Sequence, residues 1–161
     1  MCIRDRLWDE VAEIVRKDYP SVDYRKYHVD ALAARMITHP QTLDVLVTSN
    51  LFGDILTDIG SAISGSLGIA PGANINPART FPSMFEPIHG SAPDIAGKGI
   101  ANPIGAIWAG ALMLDHLGRR DLHDRIVAAI EGVVAGGTAR TPDLGGTSTT
   151  REVSDAIVAN I

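Results

Sequence analysis

Cysteine is almost absent from this sequence of 161 residues, in which Cys2 is the only thiol. A single cysteine excludes an internal disulfide framework and a cysteine-ligated zinc site. The scarcity of cysteine suits a reducing compartment, and we therefore predict a cytoplasmic protein.

Positive charge and long apolar runs are also scarce. The 14 Lys and Arg residues against 19 Asp and Glu residues give a formal net charge of −5, and no basic stripe is evident. The longest apolar run, 104–114, is too short to cross a bilayer as a helix. We expect neither a nucleic-acid nor a membrane partner. The run instead predicts a capped, buried helix whose start is at Asn102 and Pro103.

Hydrophobic periodicity indicates an α/β chain in which helices outnumber strands. Thr149 and Glu152 predict a capping box for the last helix. The other expected elements are helices over 7–18, 30–37, 50–64, 103–117 and 121–135, strand-like residues at 21–29, a buried strand at 43–48, a loop at 65–82, a short strand at 83–85 and a turn at 141–146.

Two of these helices have apolar faces that predict what they bury. One face belongs to the helix over 50–64 and the other to the helix over 121–135. The predicted core residues are Leu51, Ile55, Leu56, Ile59 and Ile63 on the first helix, and Leu122, Ile126, Ala129, Ile130 and Val133 on the second.

Asp54 and Asp58 lie one helical turn apart, so their carboxylates project from the same face of the helix over 50–64. Two such groups repel each other unless a cation or a donor separates them. Hard divalent ions such as Mg²⁺ and Mn²⁺ prefer carboxylate and water ligands. The pair therefore predicts a metal site, while a solvated helix face near the positive helix end is the alternative.

Asp30 is the candidate for a third metal ligand. Its position before an apolar periodic segment also predicts a helix N-cap. His28 and His39 have no metal-ligand spacing with another His or Cys, and we interpret both as surface or edge residues.

A segment of small residues with a histidine and an acid, 89–94, lacks helical or strand periodicity. No G-x-G-x-x-G follows a strand, which argues against a standard Rossmann phosphate loop. The segment can still hold an adenosine, because Gly90 and Ala92 permit close backbone approach. Asp94 can accept from both ribose hydroxyls, and Asn102 can contact an adenine edge through its amide. A structural loop in which Asp94 caps a short helix is the alternative.

Four motifs together resemble the β-decarboxylating dehydrogenases, which include isopropylmalate, isocitrate, tartrate and D-malate dehydrogenases. The resemblance extends from about Leu7 to Ile161 and implies an incomplete α/β isocitrate/isopropylmalate dehydrogenase-like fold. The segments 72–77 and 81–87, Trp108 and the segment 115–118 are most similar to the tartrate/D-malate branch. The four motifs are N-L-F-G-D-I-L-T-D at 50–58, E-P-I-H-G-S-A-P-D at 86–94, G-I-A-N-P at 99–103 and D-L-G-G at 143–146.

The resemblance assigns roles to particular residues. Asp54 and Asp58 would bind Mg²⁺ or Mn²⁺ in one subunit of a homodimer, and Asp30 would reach the other subunit's site. NADP-using relatives tend to have Lys and Tyr where this chain has Asp94 and Ile95, which favours NAD. The implied NAD pocket consists of Glu86, His89, Gly90, Ser91, Ala92, Asp94 and Asn102.

The implied reaction is hydride transfer from C2 of a 2-hydroxy acid to NAD⁺, followed by loss of CO₂ while the metal stabilises the enolate. The family's catalytic lysine and tyrosine, and its substrate arginines, match nothing in this chain and are expected upstream of Leu7. We therefore identify no catalytic residue here, and we expect 7–161 to be the C-terminal portion of a catalytic domain. Residues 1–6 do not match the family and are predicted to be a non-native tail.

These observations predict a fragment of a tartrate or D-malate oxidative decarboxylase that is inactive and poorly folded alone. An isopropylmalate dehydrogenase fragment of leucine biosynthesis is the alternative enzyme. An inactive truncated subunit that pairs with a full-length relative is the non-enzymatic alternative.

Overall fold

A computed structural model describes residues 3–161, so the thiol of Cys2 lies outside the described residues. The chain divides into a first unit that ends at Leu43 and a second unit, Asp44–Ile161. No helix among the described residues has the length and apolar character needed to span a membrane.

The first unit contains two helices. Helix α1 covers Ile3–Val15 and continues as a 3-10 turn over Arg16–Asp18, in agreement with the predicted end of this helix. Helix α2 covers Val29–Thr38. In the segment between the two helices, Lys26 Nζ forms an ion pair of 2.6 Å with Oδ2 of Asp9 on α1.

The second unit contains a β-hairpin and four helices. Strands β1 (Pro71–Asn74) and β2 (Met84–Pro87) pair antiparallel, with Gly72 opposite Glu86. The helices are α3 (Asn50–Ile63), α4 (Ile104–His116), α5 (Arg120–Gly136) and α6 (Thr150–Ala159).

The hydrophobic core lies among the last three helices. Helix α4 packs on both strands and on α5, and α5 packs on α6. The α5 face that the sequence predicts is confirmed, since Ala129, Ile130 and Val133 are buried. The predicted capping box between Thr149 and Glu152 is also present. The buried cluster consists of Ile104, Ala129, Ile130, Val133, Ala139, Val153 and Ile157.

Two strand predictions were wrong, and one strand was missed. Residues 21–29 form no strand, and the apolar run 43–48 is extended chain rather than a buried strand. Among the described residues the only paired strands are β1 and β2, so the segment 43–48 belongs to no sheet. Its Val45 and Val47 side chains are 83% and 82% exposed. Strand β1 lies inside the predicted loop 65–82. Its Gly and Pro residues are typical of loops, so the sequence shows no sign that this segment pairs with β2.

The predicted core face of α3 is largely exposed. Leu56 is buried to 3% exposure and Ile59 is half-buried, whereas Leu51, Ile55 and Ile63 are exposed. Within its unit α3 packs chiefly on the 3-10 turn Leu67–Ile69, which covers one side of the helix only. Periodicity identified the helix correctly, but it could not show which apolar residues the same unit covers.

Candidate functional site

Asp54 and Asp58 lie on α3, as the sequence predicts, and both are exposed. Among residues 3–161 their carboxylates have no hydrogen-bond or ion-pair partner. No group of three His, Cys, Asp or Glu side chains in this part of the chain is arranged to hold a metal ion. The pair therefore offers two hard oxygen donors on one helix face, and a complete site needs further ligands.

Asp30 lies in the first turn of α2, and its Oδ1 accepts a hydrogen bond of 2.8 Å from Ala31 N. The N-cap of this helix is His28, so the prediction that Asp30 caps the helix was wrong. The helix begins one residue earlier than predicted, because the β-branched Val29 is already part of it, and Asp30 therefore lies inside the first turn. The exposed Asp30 carboxylate can still act as an oxygen donor.

The candidate nucleotide loop follows β2. Glu86 lies on β2 itself, and Nδ1 of His89 lies 3.0 Å from the carbonyl oxygen of Gly90. Asp94 is exposed and caps no helix among the described residues, so the structural alternative for this residue finds no support. A free carboxylate on a loop is accessible to the hydroxyls of a ribose. The exposed members of the predicted set are Glu86, His89, Gly90, Ser91, Ala92 and Asp94.

Ala92 has a φ of 42°, in the left-handed region that L-residues with a Cβ rarely adopt. Its carbonyl oxygen accepts a hydrogen bond of 3.1 Å from Ile95 N, which closes the turn that presents Asp94. Strained backbone of this kind is concentrated at ligand sites, and it typically costs about 1–3 kcal/mol. Ala92 is therefore a strained position in this exposed turn.

Asn102 differs from the rest of the set because it is buried, with 9% exposure. Its Nδ2 donates to Asp143 Oδ2 over 2.9 Å, and its Oδ1 accepts from Ile104 N over 3.0 Å. The carboxamide is thus engaged at both ends, so an adenine contact through this amide is not supported. The main-chain N–H and C=O of Asn102 have no hydrogen-bond partner among the described residues.

Asp143 is a functional candidate to which the sequence alone assigns no role. It lies on the 3-10 turn Pro142–Leu144, and its Oδ2 also accepts a short hydrogen bond from Ser66 Oγ. The D-L-G-G motif was the available signal, but the sequence does not show that this turn meets Ser66 and Asn102.

The electrostatics of Asp143 follow from these contacts. Burial raises the pKa of its carboxyl, but the hydroxyls of Ser66 and Thr141 and the carboxamide of Asn102 together lower it more, so the pKa lies below the usual aspartate value. By the geometry of the structure, the buried Oγ1 of Thr141 has no hydrogen-bond partner among the described residues. The carboxylate is therefore ionised at neutral pH.

Fold and site together define a mixed α/β chain with a carboxylate pair on one helix and an exposed loop of small and polar residues after β2. A sequence model of the isocitrate/isopropylmalate dehydrogenase family matches residues 1–157, and the chain belongs to this family. The resemblance seen in the motifs is thereby confirmed.

Two curated relatives have names that fit the predicted branch. The chain is 56% identical over 154 residues to a probable tartrate dehydrogenase/decarboxylase of Bacillus subtilis, covering 96% of this chain and 43% of the relative. It is 57% identical over 155 residues to the decarboxylating D-malate dehydrogenase of Escherichia coli, covering 93% and 43%.

A solved structure confirms the predicted fold. The crystal structure of isocitrate dehydrogenase from Methylococcus capsulatus superposes with a TM-score of 0.91 at 46% identity, covering 96% of this chain and 45% of that chain. The present chain thus has part of the family fold, and it spans less than half the length of the relatives it matches.

Proposed function

We propose that this chain supplies the cofactor loop and two metal ligands of an NAD-dependent, divalent-metal-dependent oxidative decarboxylase acting on D-malate or tartrate. The observation that carries the proposal is the combination of two unpartnered carboxylates on α3 with an exposed Asp94 on the loop after β2. The similarity to proteins named tartrate and D-malate dehydrogenases supports the choice of substrate.

Asp54 and Asp58 would hold Mg²⁺ or Mn²⁺, and Asp30 would act in the site of a second subunit. The bound metal would supply a Lewis acid that stabilises negative charge on a substrate oxygen during decarboxylation. The residues fit this role, because hard divalent cations take carboxylate oxygens and leave positions open for substrate. A cation between two exposed carboxylates at helical spacing would also offset their mutual repulsion.

Glu86 and the loop 89–94 would line the NAD pocket, with Asn102 at the adenine end. The Asp94 carboxylate would accept from the ribose hydroxyls, and its charge would repel the 2′-phosphate of NADP. The ring of His89 and the hydroxyl of Ser91 add polar groups to an otherwise small-residue surface. Gly90 and Ala92 allow the nucleotide to approach the main chain closely.

The test is a hybrid enzyme in which residues 7–161 replace the matching segment of the E. coli D-malate dehydrogenase. We expect it to form NADH from D-malate or tartrate in the presence of Mn²⁺, and to stop when EDTA removes the metal. Asp94→Asn should lower kcat/KM for NAD⁺ more than for NADP⁺. A folded hybrid with neither activity would overturn the proposal, and preference for isopropylmalate would favour the alternative enzyme.

Binding to the hybrid enzyme provides a second measurement, which does not depend on turnover. Calorimetry with NAD⁺ and electron paramagnetic resonance with Mn²⁺ should each detect one site. The matched control is Asp155→Asn, since Asp155 is an exposed aspartate on α6 at i, i+4 from Arg151. Equal binding by Asp155→Asn and loss of binding by Asp94→Asn or Asp58→Asn would support the assignment.

We also propose that the exposed apolar side of α3 is the contact with a second subunit in a homodimer. Leu51, Ile55 and Ile63 are all exposed on this helix, and large exposed apolar patches mark interfaces. The hybrid should elute as a dimer in size-exclusion chromatography with light scattering. Ile55→Asp should shift it to monomer, whereas Val158→Asp, at another exposed apolar residue, should not.

A further inference from the structure

A polar cluster joins three separate parts of the second unit, with two buried side chains around the exposed carboxylate of Asp143. Its members are Ser66, before the Leu67–Ile69 turn, Asn102, before α4, and Asp143, on the turn before α6. Ser66 and Asn102 are 8% and 9% exposed, so both depend on hydrogen bonds within the protein. The cluster lies outside the metal ligands and the loop 89–94.

Asp143 is the acceptor at the centre of this cluster. One oxygen, Oδ2, receives the Ser66 hydroxyl and the Asn102 amide, the latter over 2.9 Å. Ser66 Oγ in turn accepts from Gly68 N over 2.9 Å. The ionised carboxylate of Asp143 therefore links the segments that contain Ser66 and Asn102. Hydrogen bonds to a charged acceptor are stronger than those between neutral groups.

The Asn102 segment has little freedom around this contact. A Cβ on Gly68 would approach within 2.7 Å of the Asn102 Cβ, so the two chain segments are in direct contact. The Asn102 Oδ1 also accepts a hydrogen bond from the main-chain N of Ile104, the first residue of α4. The main-chain N–H and C=O of Asn102 have no hydrogen-bond partner within residues 3–161.

We propose that Asp143 is a positioning residue for the NAD site: it holds the carboxamide of Asn102, and thereby fixes the backbone that meets the adenine end of the cofactor. This inference rests on the proposed function, since it needs a nucleotide at Asn102. Asp143 itself need not contact the cofactor. The ionised state of its carboxyl at neutral pH agrees with this role.

The test is the steady-state kinetics of Asp143→Asn in the hybrid enzyme. We expect KM for NAD⁺ to rise about five- to tenfold, because the neutral carboxamide is a weaker hydrogen-bond acceptor than the carboxylate, while kcat and KM for D-malate stay within about twofold. Asp155→Asn is the matched control and should leave all three unchanged. A purely structural role would lower kcat and alter both KM values together, and would overturn the proposal.

A rescue variant separates positioning from direct contact. Asn102→Asp alone places two carboxylates against each other and should raise KM for NAD⁺ more than Asp143→Asn does. Combining Asn102→Asp with Asp143→Asn restores a donor opposite an acceptor, and should recover most of the affinity for NAD⁺. Failure of this pair to recover it, in a variant with unchanged kcat, would contradict the proposal.

The two proposals fail in different ways. An unsubstituted hybrid that folds but neither binds NAD⁺ nor forms NADH overturns the proposed function. An active hybrid in which Asp143→Asn has an unchanged KM for NAD⁺ overturns only the role of Asp143.

Discussion

Gly105 on α4 lies directly against the main chain of Gly68: a Cβ built on Gly105 would come within 3.0 Å of the Gly68 carbonyl oxygen. It would also lie 3.1 Å from the carbonyl oxygen of Ala70 and 3.3 Å from Cβ of Pro87. The first turn of α4 therefore touches the backbone that leads into β1 as well as the end of β2. A side chain at this position has no space.

Gly105→Ala should consequently destabilise the protein by about 1–3 kcal/mol, the usual penalty for overpacking. Gly110→Ala is the matched control, because a Cβ there meets nothing within 4 Å on the same helix. It should stabilise the helix by up to about 1 kcal/mol. Differential scanning fluorimetry of both variants in the hybrid enzyme measures the two shifts, and equal melting temperatures would contradict the packing argument.

Thr141→Val should raise the melting temperature. The Thr141 hydroxyl is fully buried and has no hydrogen-bond partner among the described residues, and an unsatisfied buried polar group costs about 1–3 kcal/mol. Ser66→Ala is the contrasting variant, because it removes a donor to Asp143 and should lower the melting temperature. A loss of stability in Thr141→Val would show that this hydroxyl donates to Asp143.

The stability contribution of Asp143 should depend on pH. Because its pKa is lower in the folded protein than in the unfolded chain, its contribution is fully present above the unfolded value of about 3.9 and is lost as the pH falls through the folded value. The difference in melting temperature between the unsubstituted hybrid and Asp143→Asn should be large at neutral pH and should shrink in strong acid. A difference that grows on acidification would reverse the assigned direction of the pKa shift.

Removing either α3 carboxylate should weaken metal binding. We expect Asp54→Asn and Asp58→Asn each to raise the Mn²⁺ concentration for half-maximal activity at least about a hundredfold, because losing outer-shell partners alone typically weakens a site by about 10–100-fold. The Asp155→Asn control should leave this concentration unchanged. Unchanged metal dependence in both α3 variants would favour the solvated helix face.

The 161-residue chain by itself should lack dehydrogenase activity and should melt without a sharp transition. The exposed Val45, Val47 and Ile55 side chains leave apolar surface that a stable fold normally covers. A fluorescent dye that binds apolar surface should therefore bind strongly before heating. NADH formation from D-malate or tartrate with Mn²⁺, or a cooperative melt of a monodisperse sample, would refute this prediction.

Much of the helical part of the fold is readable from the sequence. The capping box at Thr149 and the buried α5 residues follow from local spacing, which depends only on the helical repeat. The spacing of Asp54 and Asp58 on one helix face follows in the same way. Strand β1 could not be predicted, because its four residues P-G-A-N are typical of a loop and form a strand only through their pairing with β2.

The sequence by itself determined where the helices of this protein lie, which residues carry carboxylates or amides, and which family motifs are present, because these properties depend on neighbours along the chain. Only the tertiary structure decided that Asn102 is engaged with Asp143 and that Val45 and Val47 have no paired strand among the described residues. Both outcomes depend on contacts between segments far apart in sequence. Such contacts follow from packing and hydrogen bonding in three dimensions, which local patterns do not encode.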